Sequence, residues 1–156
     1  DLPFERLDVG HQVELVLAEF ADEIERTHAE ITCGHFPFVY SNATVLRQIL
    51  VNLIGNALKF VLPQQTPKIE ISAEQSGKKV RLFVKDNGIG IDDHHRHRIF
   101  EVFQRLHTHD DYPGTGIGLA IVAKGVQRLG GSVGVESEPG KGSTFWIELP
   151  SEPGGE

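Results

Sequence analysis

The chain has 156 residues, 39% hydrophobic and 24% charged, with a net charge of −7. That is long enough for one domain with its own core, and the acidic balance argues against a nucleic-acid surface. No apolar run nears the roughly 20 residues that cross a bilayer, and one cysteine, Cys33, permits no internal disulfide and suits a reducing, cytoplasmic setting.

No signal-peptide pattern opens the chain, and the start "DLPFERL", without Met, reads as the interior of a longer protein. "PFERLDV" suits a short strand, followed by one long helix over "GHQVELVLAEFADEIERTHA" with Val13, Leu17, Phe20 and Ile24 on one face. "EITC" and "FVY" read as strands, and Asn42 can cap the next helix. In that helix Asn52, Asn56 and Lys59 form a polar stripe inside the apolar run "ILVNLIGNALKF". Residues three and four apart share a helical face, and a buried amide without a partner costs about 1–3 kcal/mol, so the stripe must face something polar.

"KIEISAEQSGKKVRLFVKD" predicts a hairpin about a Ser-Gly turn. The glycine loop "DNGIGI" and a short helix over "DDHHRHRIFEVFQRL" follow, then the polar loop "HTHDDYPGTGIG". "LAIVAKGVQRLGG" predicts a helix stopped by glycine, and "GSVGVESEPGKGSTFWIELP" a closing hairpin. The domain is expected over residues 1–150, with a flexible tail at 151–156. Strands and helices are segregated, which predicts an α+β, two-layer sandwich with helices on one face of a mixed sheet.

Glycines gather at Gly88/Gly90, at Gly114/Gly116/Gly118 and at Gly140/Gly142. Each cluster alone suits a tight turn. The middle one also runs into a helix, where free N–H groups and the dipole favour an anion. The P-loop and dinucleotide glycine spacings are absent, as are the protein-kinase HRD and DFG signatures. "GGSVG" around Ser132 fits a hydrolase elbow by letters, but a helix precedes it, a strand follows, and no Asp or His lies downstream.

Taken together, these segments resemble the catalytic ATP-binding domain of sensor histidine kinases, in the superfamily of gyrase, MutL and the heat-shock chaperone ATPase. "NLIGNALKF" is similar to the N box, "DNGIGI", "GTGIGLA" and "GKGSTF" to three glycine boxes, and "IFEVFQRL" to the F box. The lid segment "FQRLHTHDDYPGTGIGLAI" most resembles kinases of the bacteriophytochrome type.

The resemblance implies ATP and Mg²⁺ as cofactors. It makes Asn56 a magnesium ligand, Asn52 a second contact to the metal or its waters, Lys59 a phosphate cation, and Arg105 the cation at the terminal phosphate. Asp86 then accepts the adenine amino hydrogen, with Gly88, Gly90 and the Thr144 hydroxyl near the base and Ile54, Ile91 and Phe145 as its apolar surround. Phe100 and Phe103 anchor a mobile ATP lid over His107–Thr115, and Gly114, Thr115, Gly116, Ile117, Gly118 and Leu119 close on the triphosphate.

Position 52 distinguishes activities. Gyrase-type relatives carry a Glu four residues before the metal Asn as a general base for water, whereas an amide takes no proton at neutral pH. Slow hydrolysis is therefore expected, with γ-phosphoryl transfer to a His favoured over a true ATPase or a nucleotide-ordered scaffold. None of the eight histidines has the phosphoacceptor context of the family. The acceptor helix is expected upstream and the response regulator as a downstream partner, with no nucleic-acid or membrane contact. The histidines in "DDHHRHR" and "HTHDD" invite zinc, but their spacing is unlike a zinc ligand set.

Overall fold

A computed structural model describes residues 2–90 and 115–154. Strand β1 (Glu5–Asp8) runs into helix α1 (Val9–Glu19). The cap is Asp8, whose carboxylate accepts the His11 N–H at 3.3 Å. Helix α2 (Ala21–Thr27), β2 (Glu30–Cys33) and β3 (Phe38–Ser41) follow.

The single helix expected over this segment is two. Phe20 adopts φ −101°, ψ 14° and serves both as the C-cap of α1 and the N-cap of α2. Its ring lies against Gly55 of the next helix, where a side chain would stand 3.2 Å away. Val13 is buried, and Leu17, Phe20 and Ile24 pack against the core from its margin, but no residue of α2 is fully buried.

Helix α3 (Ala43–Lys59) is the central element. The Asn42 side chain accepts the Val45 N–H at 3.0 Å and donates to the Pro3 carbonyl at 2.8 Å, which caps the helix and fastens the N-terminal segment. Leu46, Ile49, Leu50, Leu53 and Ile54 of α3 are almost wholly buried, each contributing about 1.5–3 kcal/mol by leaving water. Hairpin β4 (Lys68–Ser76) and β5 (Lys79–Asp86) follows, turning at Gly77 with φ 61°. Helix α4 (Thr115–Arg128) and the hairpin β6 (Ser132–Glu138) and β7 (Gly142–Pro150) complete the described chain.

The larger sheet has the order β2-β4-β5-β7-β6, with β2 parallel to β4 and every other pair antiparallel. Strands alternate their faces. Ile69 and Ile71, Val80, Leu82 and Val84, and Phe145, Ile147 and Leu149 form the buried face. The α3 and α4 helices join the same core, with Gly125 of α4 set close to Ile49. On the other face the Arg81 guanidinium stacks 3.8 Å from the Trp146 ring and pairs with Glu148 at 3.1 Å. This is the expected mixed-sheet sandwich, with one addition: β1 and β3 pair antiparallel as a separate two-stranded sheet. Ser151 N–H bonds the Lys78 carbonyl at 2.8 Å, so the last residues begin tied to the β4–β5 turn. Among the described residues no helix is long and apolar enough to cross a membrane.

Candidate functional site

The polar stripe of α3 runs along the margin of its buried face. Asn52 and Asn56 are half-buried and Lys59 is exposed at the C-terminal end. Asn52 Nδ2 donates to the Gln48 carbonyl at 2.9 Å, so its Oδ1 is the end left to accept. Asn56 Nδ2 is buried and has no hydrogen-bond partner among the described residues. Because the two ends of an amide are exchanged by a simple flip, the observation concerns the amide as a whole: one of its polar atoms is held away from water with no group among the described residues to meet it. A hard cation and its waters would satisfy both side chains through their oxygens, so the donor set fits Mg²⁺.

The end of α3 is joined to the first glycine loop by backbone. Phe60 caps the helix, its N–H bonding the Asn56 carbonyl at 3.0 Å, and its own carbonyl accepts the Ile89 N–H at 2.9 Å. The Ile89 carbonyl in turn accepts the Gly140 N–H at 2.7 Å. Gly88 and Gly90 are required by these approaches. A Cβ at Gly88 would stand 2.2 Å from the Phe60 carbonyl oxygen, and one at Gly90, where φ is 78°, 2.0 Å from that of Glu138. Both glycines therefore admit the protein's own backbone, a role that ligand approach alone did not predict. Asn87 braces the loop from the side, accepting Lys68 N–H at 2.8 Å and donating to the Thr66 carbonyl at 2.9 Å.

Asp86 ends β5 on the buried side of the sheet, in line with Val80, Leu82 and Val84. Its Oδ1 accepts N–H bonds from Gly88 at 2.8 Å and Ser143 at 3.2 Å. Burial pushes the carboxyl up to about 6, and the two N–H donors pull the other way. It is thus mostly ionised at neutral pH, as an acceptor must be.

Register separates two hydroxyls at this end of the sheet. Asp86 is the cross-strand partner of Ser143, whereas Thr144 is opposite Lys85 on the other face of the sheet. The hydroxyl on the side of Asp86 is therefore that of Ser143, 7% exposed. Thr144 does share the rim of an open concavity of about 380 Å³ with Asp86, Ser137 and Ser143, but the pleat turns it away from the carboxylate. Sequence similarity to the third glycine box located the segment, and period-2 counting from the buried Phe145 would have chosen Ser143.

Ile54 and Phe145 are both buried in the core. Leu119 is buried on α4, and the first turn of that helix carries Thr115, Gly116, Ile117 and Gly118, where backbone N–H groups lack intrahelical acceptors. The side chains of 115–118 lie outside the described residues. So do Ile91, Phe100, Phe103, Arg105 and Gly114, the lid expected before Thr115, and the histidine patches at 94–97 and 107–109. Among the described residues no group of three His, Cys, Asp or Glu side chains could hold a metal.

Residues 41–153 match the histidine kinase-, DNA gyrase B-, and HSP90-like ATPase family. The chain belongs to that family. The phytochrome-like protein Cph1 of Synechocystis sp. is 43% identical over 143 residues, covering 92% of this chain but 19% of that protein. The chain therefore spans about a fifth of the length of this relative. Among solved structures, the catalytic domain of the histidine kinase ThkA superposes with a TM-score of 0.83 at 26% identity, over 97% of this chain and all of that one. Full-length ShkA in complex with AMPPNP gives 0.81 at 31% identity, over 99% of this chain and 33% of that one. The fold is that of a histidine kinase catalytic domain, and the resemblance to kinases of the phytochrome kind holds.

Proposed function

We propose that this domain binds Mg-ATP and donates its γ-phosphoryl group to a histidine on a phosphoacceptor helix outside this sequence, in two-component signalling with a response regulator downstream. The observation that carries this is the Nδ2 end of the Asn56 amide, buried without a partner among the described residues on the same stripe as Asn52 and Lys59. A buried polar group left unpaired is costly, and a ligand that completes it explains why the stripe exists.

In this reading Asn56 and Asn52 hold the magnesium ion, which supplies charge neutralisation at the phosphate oxygens. Lys59, exposed on a flexible stem at the helix end, adds a point charge for the phosphates. Arg105 is assigned to the terminal phosphate by its place after "IFEVFQ", where a guanidinium stabilises charge as the phosphoryl group leaves. The N–H groups of Gly116 and Gly118 at the start of α4 favour phosphate oxygens. Asp86 takes the adenine amino hydrogen on Oδ2, since Oδ1 is occupied by Gly88 and Ser143, and a guanine would present a carbonyl to the same carboxylate. Ser143 replaces Thr144 as the hydroxyl at the base. Asn52 gives water no general base, so transfer to protein is favoured over hydrolysis.

The test supplies an upstream phosphoacceptor helix pair in trans with ATP radiolabelled at the γ-phosphate. Label on a histidine of the added helices is expected. Steady phosphate release from the domain alone would instead mark an ATPase, and bound nucleotide with no labelled histidine would mark a regulatory scaffold.

A further inference from the structure

Ser137 of β6 is the cross-strand partner of Ser143. Its hydroxyl lies 2.7 Å from Ser143 Oγ and 3.0 Å from the Gly142 carbonyl. A carbonyl only accepts, and each hydroxyl has one proton to give. Among these three groups both contacts are hydrogen bonds in one arrangement: Ser137 donates to Gly142, and Ser143 donates to Ser137. Ser143 has then committed its proton, and its oxygen offers lone pairs alone. Next to it Asp86, with Oδ1 held by two N–H groups, has Oδ2 left as a second acceptor.

We infer that Ser137 is a positioning residue for base selection: by fixing the Ser143 hydroxyl as an acceptor, it makes the base-facing wall a pair of acceptors that takes a 6-amino purine and turns away a 6-oxo one. The inference rests on the proposal that Asp86 reads the base. A hydroxyl otherwise rotates to suit its ligand. Without Ser137, the Ser143 proton is free to meet an incoming 6-oxo oxygen, and the wall loses part of its selectivity.

Affinities for ADP and for inosine diphosphate, its 6-oxo analogue, measured by calorimetry with Mg²⁺ present, test this directly. Ser137→Ala should narrow the ADP-to-IDP affinity ratio about tenfold, the scale of one hydrogen bond whose polarity is no longer fixed. Ser137→Thr, which keeps the hydroxyl on a residue suited to a strand, should preserve the parent ratio. Ser143→Ala should narrow the ratio as well, and adding Ser137→Ala to it should change nothing further. An unchanged ratio in Ser137→Ala, even with both affinities weakened together, means a merely structural serine and overturns the inference; so does an unchanged ratio in Ser143→Ala, should Ser137→Ala fail to fold. Absence of measurable ADP binding by the parent protein would be a different failure, that of the proposed function itself.

Discussion

Asp86 Oδ1 receives the backbone N–H of Ser143 at 3.2 Å, so the carboxylate at the end of β5 is held by the strand beside it. With Gly88 donating to the same oxygen at 2.8 Å, the side chain is oriented by backbone before any ligand binds. Its ionisation nevertheless remains opposed by burial, and two predictions of opposite sign come from that conflict.

Nucleotide affinity should be full above about pH 7 and fall as the pH drops through about 6, where Asp86 takes up its proton. Below that midpoint the loss approaches about tenfold per pH unit, as for any single required deprotonation. Calorimetric titrations of ADP between pH 8 and pH 5 (roughly the range in which the fold need only tolerate mild acid) check it. A step with that midpoint should be missing from Asp86→Asn, which has no carboxyl to titrate.

Asp86→Asn should also weaken ADP at neutral pH by tenfold or more, roughly the value of a hydrogen bond to a charged group, yet raise the stability of the empty protein. The carboxyl binds its proton more tightly folded, at about 6, than unfolded, where it keeps its ordinary value of 3.8. Stability therefore declines as the pH rises between those values, and above about 6 the whole cost of burying the charge is present. A neutral amide of the same shape avoids that cost, on the order of 1–3 kcal/mol at pH 7.5. Thermal denaturation should show a higher Tm for the variant at pH 7.5 and little difference near pH 4; a lower Tm at pH 7.5 would mean that the lost interactions outweigh the charge.

Asn56→Ala should abolish the dependence of nucleotide affinity on Mg²⁺ while leaving the fold intact. It removes a half-buried amide whose buried Nδ2 has no partner among the described residues, so little stability is forfeited. ADP affinities with Mg²⁺ and with EDTA should converge in the variant and differ in the parent. Persistent enhancement by Mg²⁺ in the variant would remove Asn56 from the metal site.

Gly90→Ala should destabilise the protein by about 2 kcal/mol or more, since the added Cβ meets a backbone oxygen at a positive φ. Gly77→Ala supplies the control. It too sits at positive φ, but no atom lies within 4 Å of the new Cβ. A smaller loss there, by denaturant titration, separates the clash from the dihedral cost.

Much of this was legible in the sequence because it is local. The Asn42 cap, the polar stripe of α3 and both later hairpins follow from spacing within a few residues. What escaped depends on partners distant in the chain. At its break Phe20 sets its ring against Gly55 of α3, and β1 pairs with β3 across two helices and strand β2. The resemblance points to Thr144 and is silent on Ser143, because a motif fixes position along the chain but not the face of the strand, and a shift of one residue inverts it. The lid residues and Arg105 rest on resemblance and not on position.

The hydrogen bonds from Ile89 to Phe60 and from Gly140 to Ile89 splice a helix end, a loop and a hairpin turn into one rigid strut. The proposed metal amides lie on the helix that ends at Phe60, and the proposed base carboxylate accepts the N–H of Gly88, next to Ile89. The helix that carries the amides and the loop beside the carboxylate are thus joined by main chain alone, and a side-chain substitution at either place leaves that link uncut.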